Sequence, residues 1–409
     1  MKNINKNTVV CSLEEIYHDG SSFEMNRMIN DCISNTSDGG VIIGYLVWES
    51  YPISKWIDTL MHFVKGLKCR EFILILNTVY KNDDISFPFE VVYIDYFLLR
   101  VYFETTVCNH PYNKQWNFDS NKFLFLTGKA DAPNRIRLLY KLYKNGLLDY
   151  SIWSLFLQKG SSIYTRSKTC IPELTDSEFD KFVNVCMNNP DGIDNNFGQH
   201  YGGFPYDTTL FSETLFRVVS ETLRVVAGDT NPNPWITEKT WMTIVNNQPF
   251  MVVGQGHILE RLRDMGFKTF EKYLKNPNYD TIIGMDDKLD AIVENVEGWL
   301  STCNSQSDDI LADVKYNFSQ YHYIVDKNLT IISDLLEYIK SPKYDLYDLI
   351  PLYDSTSENG KWIMFYNSIK DDSWESCHVE SNFKNLPKHI QQECIENFGY
   401  SPRISSKDT

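Results

Sequence analysis

The chain has 409 residues and a formal net charge of −15, with 43% hydrophobic and 14% aromatic residues. That length exceeds one ordinary domain, and the apolar content excludes a disordered chain. The acidity excludes a protein that coats nucleic acid non-specifically, while leaving room for a local basic face.

The segment "GVIIGYLVWES" (40–50) is a near-continuous apolar run, as expected of a strand buried on both faces. "SKWIDTLMHFVKGL" (54–67) has helical spacing at Trp56, Leu60, Phe63 and Val64. "EFILILNTVY" (71–80) reads as a second buried strand, and "FEVVYIDYFLLRVYF" (89–103) begins as a third. This β-α-β order predicts a parallel sheet with right-handed crossovers.

The polar stretch "CNHPYNKQWNFDSNK" (108–122) reads as an interdomain linker. A second unit opens with the strand and glycine turn "FLFLTG" (123–128). The helix "RIRLLYKLYKNGLL" follows, with Leu139, Tyr140 and Tyr143 on one stripe and Gly146 at its C-terminal cap. Between 150 and 205 the pattern is weak, and "NNPDGIDNNFGQHYGGFPYDTT" predicts a long loop. "LFRVVSET" (215–222) returns to strand character. "HILERLRDMGF" (257–267), "KLDAIVENVEGWL" (288–300) and "TIISDLLEYIK" (330–340) read as helices, the first stopped by Gly266.

Nine cysteines, an odd number with no CxxC pair, read as reduced thiols of a cytoplasmic protein. The start "MKNINKNTVV" lacks the apolar core of a signal peptide, and no apolar stretch reaches membrane-spanning length.

The chemistry concentrates in "WITEKTWMTIVNNQPFMVVG" (235–254). Thr237 is placed to cap a helix whose inward face carries Trp241, Ile244 and Val245. Glu238 and Lys239 then fall in the first turn. Glutamate suits the positive end of the helix dipole, whereas lysine there costs about 0.3–1 kcal/mol. An anion at that helix end resolves the conflict, because free backbone N–H groups and an ammonium together form a phosphate site. The neighbouring carboxylate can accept hydrogen bonds from ribose hydroxyls, which fits a nucleoside diphosphate at the carboxyl ends of parallel strands. A solvated Glu-Lys pair is the plain alternative.

"ITEKTW" followed by "NNQPFMVVG" resembles the donor-site motif of fucosyltransferase-like glycosyltransferases. "FLTGKADAPNRIRLLYKL" resembles the opening of that family's donor domain, where an arginine at a helix head contacts the diphosphate; the matching residue is Arg135. "VVSET" (218–222) resembles the family's strand ending in a glutamate, here Glu221. The combined pattern, with the Gly-Phe-Lys-Thr-Phe run at 266–270, is also similar to proteins of bacteriophages and large DNA viruses.

The resemblance spans about 123–270 and implies an α/β protein of GT-B-like architecture, two Rossmann-like domains facing across a cleft. It implies an acceptor domain at 1–120, a nucleotide-sugar donor domain at 121–340, and a helical segment at 341–409 returning to the first domain. Arg135, Glu221, Thr237, Glu238, Lys239 and Gly254 would then bind the donor. No Asp-x-Asp motif follows a strand, and the eight histidines show no ligand spacing. A metal-independent, inverting transfer with no cofactor beyond the nucleotide sugar is therefore expected, with Lys239, Arg135 and the helix dipole meeting the leaving diphosphate.

Such a transfer needs a general base at the carboxyl end of a first-domain strand; Glu49 fits first and Asp95 second. The phage resemblance implies a hydroxylated DNA base, such as hydroxymethylcytosine, as acceptor, with Lys114, Lys122, Lys129, Arg135 and Arg137 as a basic track. A surface glycan or protein acceptor, and a degenerate transferase fold acting as a binding module, are the competing readings. The sequence leaves the oligomeric state open.

Overall fold

A computed structural model describes residues 2–5, 8–13, 22–36, 40–46, 53–68, 71–78, 87–102, 105, 115–127, 132–155, 162–188, 209–221 and 234–338. Among these, no helix is long and apolar enough to cross a membrane.

Two separate sheets organise the chain into a mixed α/β fold. The first has β1 (Lys2–Asn5) antiparallel to β2 (Thr8–Ser12), then β3 (Val41–Leu46), β4 (Glu71–Asn77) and β5 (Glu90–Ile94), all parallel to β2. Its order is sequential, β1-β2-β3-β4-β5. The interior strand β4 is buried from Phe72 to Asn77, which explains its apolar run. Helices α1 (Ser22–Asn35) and α2 (Ile53–Gly66) connect the parallel strands and pack on each other. Sequential order with right-handed crossovers puts both on one face of the sheet.

The apolar run that begins as β5 does not continue as a strand. After Asp95 the chain turns into α3 (Tyr96–Tyr102), whose residues Tyr96 to Val101 are all buried. A helix covered on every side carries no amphipathic period, so its sequence cannot be told from a buried strand.

The second sheet contains β6 (Phe123–Thr127), β7 (Ser151–Leu155), β8 (Phe216–Ser220) and β9 (Phe250–Val253), parallel throughout in the order β7-β6-β8-β9. The chain moves one way from β6 to β7, then crosses back to β8 and onward to β9. That reversal makes a topological switch point between β6 and β8, where ligands of open parallel sheets bind. β7 and the helices α5 (Ser162–Thr169) and α6 (Asp176–Asn188) order the part of the weakly patterned stretch that precedes the expected long loop, and α7 (Thr209–Ser212) follows it; residues 189–208, nearly all of that loop, lie outside the described residues.

Helix α4 (Pro133–Lys144) follows β6 and ends at Asn145–Gly146, where Gly146 takes a left-handed φ of 68°. Helices α8 (Glu238–Val245) and α9 (Ile258–Asp264) follow β8 and β9, and α10 (Met285–Thr302) packs beside α4. The pairs Arg137–Asp286 and Lys141–Asp290 step along both helices together, so α4 and α10 run parallel.

Residues 115–122 are not a free tether. Trp116 is buried and donates from Nε1 to the Leu215 carbonyl at 2.5 Å, and Asn117 and Ser120 bond the Ser212 and Glu213 carbonyls. Helix α11 (Ser307–Tyr338) reaches back to the first half: the Tyr321 hydroxyl donates to the Leu98 carbonyl at 3.1 Å, and Asn328 is bonded to Asp95. The segment 341–409, expected to make that return, lies outside the described residues. One continuous apolar core runs through both halves, joined where Phe97 of the first meets Trp235 of the second.

Candidate functional site

The switch point is formed by the carboxyl ends of β6 and β8 and the heads of α4 and α8. Because helix follows parallel strand, α4, α8 and α9 all start at this one edge, which directs their positive dipole ends to it.

Asn134 and Arg135 stand at the head of α4, just after Pro133. Asn134 is fully buried; its Nδ2 donates to Ser220 Oγ at 2.9 Å and to the Glu221 carbonyl at 3.4 Å. Its Oδ1 is buried with no hydrogen-bond partner. Arg135 is 6% exposed, and its Nη2 lies 3.5 Å from the Ser220 carbonyl. Arg135 is the residue expected at this helix head; Asn134, directly before it, is not among the expected site residues.

Across the switch point Thr237 caps α8, with φ −99° and ψ −178°. Its side chain accepts from the Lys239 amide. Thr237 in turn donates to Glu221, through its amide at 3.0 Å and through its hydroxyl. Thr240 Oγ1 donates to the same carboxylate at 2.6 Å. Glu221 is wholly buried, so it acts inward, binding the start of α8 to the end of β8.

Lys239 Nζ lies 2.7 Å from Glu238 Oε1 and 3.1 Å from Thr237 Oγ1. Their side chains are 18% and 10% exposed, which sets this pair apart from a fully solvated one. Burial pushes the Glu238 carboxyl up, but the Lys239 ammonium and the Arg100 guanidinium outweigh it and hold it below the ordinary value. Arg100 belongs to α3, so the first half of the chain adds charge to this motif.

Beneath the turn lies Arg217 of β8, which the sequence reading missed inside an apolar strand. It is 2% exposed and donates from Nη1 to Thr243 Oγ1 at 3.1 Å and to the Lys239 carbonyl at 3.4 Å. Burial lowers its pKa to about 10, with Glu221 and Glu238 opposing the shift.

Gly254 closes the edge at the end of β9. Its carbonyl accepts from Lys288 Nζ at 3.4 Å, and a Cβ here would come within 2.9 Å of Ile258 Cδ1 and 3.4 Å of Glu221 Cβ. Arg135, Glu221, Thr237, Glu238, Lys239 and Gly254 thus all belong to one edge of the second sheet.

Of the two candidate bases, Glu49 lies outside the described residues. Asp95 sits just past β5, in a recess between the halves lined by Thr78, Phe97, Trp235, Trp241 and Arg261 among others. Trp235 and Ile236, which precede Thr237, place this recess beside the capped turn of α8.

In the expected basic track, Lys114 and Lys129 lie outside the described residues. Arg137 is bound to Asp286 at 2.8 Å, to Glu173 at 3.5 Å and to the Cys170 carbonyl. His257 is exposed and paired with Glu260. Among the described residues, no group of three or more His, Cys, Asp or Glu is gathered as a metal site. Comparison with known proteins returns no matching family model, no matching curated protein and no matching solved structure.

Proposed function

We propose that the chain is a nucleotide-sugar-dependent glycosyltransferase of GT-B-like architecture. The observation that carries this reading is the convergence of Asn134 and Arg135 with the Thr237–Lys239 cap at the switch point of the second sheet. Two helix ends, a buried guanidinium and an ammonium suit a diphosphate. The Thr-Glu-Lys motif's resemblance to fucosyltransferase-like donor sites supports the same ligand.

In this mechanism Lys239 exchanges Glu238 for the donor phosphates, and the released Glu238 carboxylate accepts the ribose hydroxyls. The acceptor hydroxyl loses its proton to a carboxylate of the first half, and its oxygen bonds the anomeric carbon. The bond from that carbon to the diphosphate breaks, and the electron pair leaves with the nucleoside diphosphate. Lys239, Arg135 and the dipoles of α4 and α8 meet the charge that develops. The phage resemblance points to a hydroxylated DNA base as acceptor. The two carboxylates on Arg137 count against a strong basic track, so DNA binding is expected to be weak and salt-sensitive.

A thermal-shift screen with UDP, GDP, CDP and CMP tests the donor reading. Stabilisation by one nucleotide, lost in both Lys239→Ala and Arg135→Ala, supports it. A chain indifferent to all four is not a transferase of this kind. Mass spectrometry of hydroxymethylcytosine-containing duplex, incubated with the matching nucleotide sugar, separates a DNA acceptor from a glycan or protein one.

A further inference from the structure

The recess between the halves holds a polar chain that the donor site does not use. Arg261, on α9, donates from Nη2 to Thr78 Oγ1 at 2.9 Å, and Thr78 Oγ1 donates to Asp95 Oδ1. The direction of this chain is fixed. A guanidinium can only donate, so the threonine oxygen accepts from it and its own proton goes to the carboxylate.

Asn328 fixes the other side of Asp95. Its Oδ1 accepts from the Asp95 amide at 2.7 Å, and its Nδ2 donates to Asp95 Oδ2 at 3.3 Å. Asn328 is itself 3% exposed and anchored to the Ile324 carbonyl. Thr78 and Asn328 therefore occupy one acceptor position on each oxygen of Asp95, and a carboxylate has about four. Among the described residues no other group donates to this carboxylate, which leaves two acceptor positions.

Arg261 is equally underused. Among the described residues Thr78 is the one side chain that accepts from it, leaving most of its N–H donors for something else. The walls around both groups include the rings of Phe97, Trp235 and Trp241, with Asn77, Ile236 and Met265 beside them. The remaining space admits a group about the size of one water molecule. A carboxylate that can accept, a guanidinium that can donate and room for one oxygen match a single hydroxyl.

We propose that this recess is the acceptor-hydroxyl subsite, built by both halves of the chain. Asp95 takes the hydroxyl proton, Arg261 donates to the hydroxyl oxygen, and Thr78 and Asn328 are the positioning residues that aim Asp95. This rests on the glycosyltransferase reading and selects Asp95 as the base of that reaction. It also sets the acceptor class: an alcohol whose hydroxyl projects far enough to enter a narrow slot beside Phe97, Trp235 and Trp241, for which water can stand in as the smallest hydroxyl nucleophile.

Water makes the proposal testable before the natural acceptor is known. The full chain is incubated with UDP-glucose, UDP-N-acetylglucosamine and GDP-fucose, and release of UDP or GDP is measured beside the thermal shift that each nucleotide produces. Thr78→Val should leave the nucleotide-induced shift intact and lower donor hydrolysis about 100-fold, the scale of a misplaced reacting group. Thr78→Ser, which keeps the hydroxyl, should restore most of it. Asp95→Ala should be inactive and partly rescued by added formate, which a purely structural role for Asp95 would not allow. Hydrolysis that is insensitive to Thr78→Val while nucleotide binding persists overturns the subsite alone. A wild-type chain that neither binds nor hydrolyses any of these donors overturns the subsite and the transferase reading together.

Discussion

Two carboxylates stand just past the ends of parallel strands, Glu221 after β8 and Asp95 after β5, and the chain treats them in opposite ways. Glu221 is fully buried and receives Thr237 through amide and hydroxyl and Thr240 through its hydroxyl. Asp95 is half-buried, lines a recess and keeps acceptor positions open. The same residue class at equivalent strand ends thus does two jobs. One carboxylate closes a backbone junction; the other faces a recess between the halves. Position at a strand end identifies both as candidates, and only the number of protein donors tells them apart.

Stability should separate them by the widest margin. Glu221→Gln replaces one of the two oxygens that accept from Thr237 and Thr240 with a donor amide and removes a charge that offsets buried Arg217. The expected cost is about 3–5 kcal/mol, read from the urea midpoint. Asp95→Asn keeps shape and one acceptor in a partly open site, and should cost about 1 kcal/mol. A larger loss at Asp95 than at Glu221 would reverse the assignment.

The next contrast lies within the second half, between cations aimed at the switch point and cations tied up on its flank. Lys239→Ala and Arg135→Ala should each weaken nucleotide binding by about 1.5–3 kcal/mol in calorimetry, since each removes a charge-assisted bond. Arg137→Ala, two residues beyond Arg135, removes exposed ion pairs to Asp286 and Glu173 instead. It should leave nucleotide affinity unchanged and cost at most about 1 kcal/mol of stability. Equal losses at Arg135 and Arg137 would mean that the site lies on the helix flank and not at the helix head.

These contrasts also mark what the sequence made legible. The strands β3, β4 and β6 were readable because strands buried on both faces write near-continuous apolar runs. The Thr237 cap was readable because capping chemistry is local. Helix α3 was not, since burial on all sides erases its period. β7 was hidden for a different reason: "SIWSL" is short and half polar, and only its pairing beside β6 makes it a strand. Arg217 and Asn328 were invisible because their partners lie 22 to 26 and 233 residues away in sequence. The recess was invisible too, since it exists only where the two halves meet.

The smallest expected effect concerns acid, and it compares two buried carboxylates on the same edge of the second sheet. Glu238 sits below its ordinary value of 4.5: burial pushes it up, but Lys239 and Arg100 outweigh burial. Asp280 goes the other way, raised from 3.8 by burial despite the Leu259 amide and Lys288. The signs therefore oppose. A carboxyl lowered by folding adds stability that is present above its unfolded value and is lost as pH falls through its folded one. A carboxyl raised by folding adds stability that is present below its unfolded value and is lost as pH rises through its folded one. In the wild-type chain the two slopes partly cancel. Glu238→Gln should remove the loss on acidification just below 4.5, so that its urea midpoint falls less steeply there than that of the parent. Asp280→Asn should do the reverse and steepen the fall, because the compensating gain at low pH is gone. Parallel acid profiles for all three proteins would mean that neither carboxyl changes its proton affinity on folding, and the ion pair at the head of α8 would then contribute nothing that pH can reach.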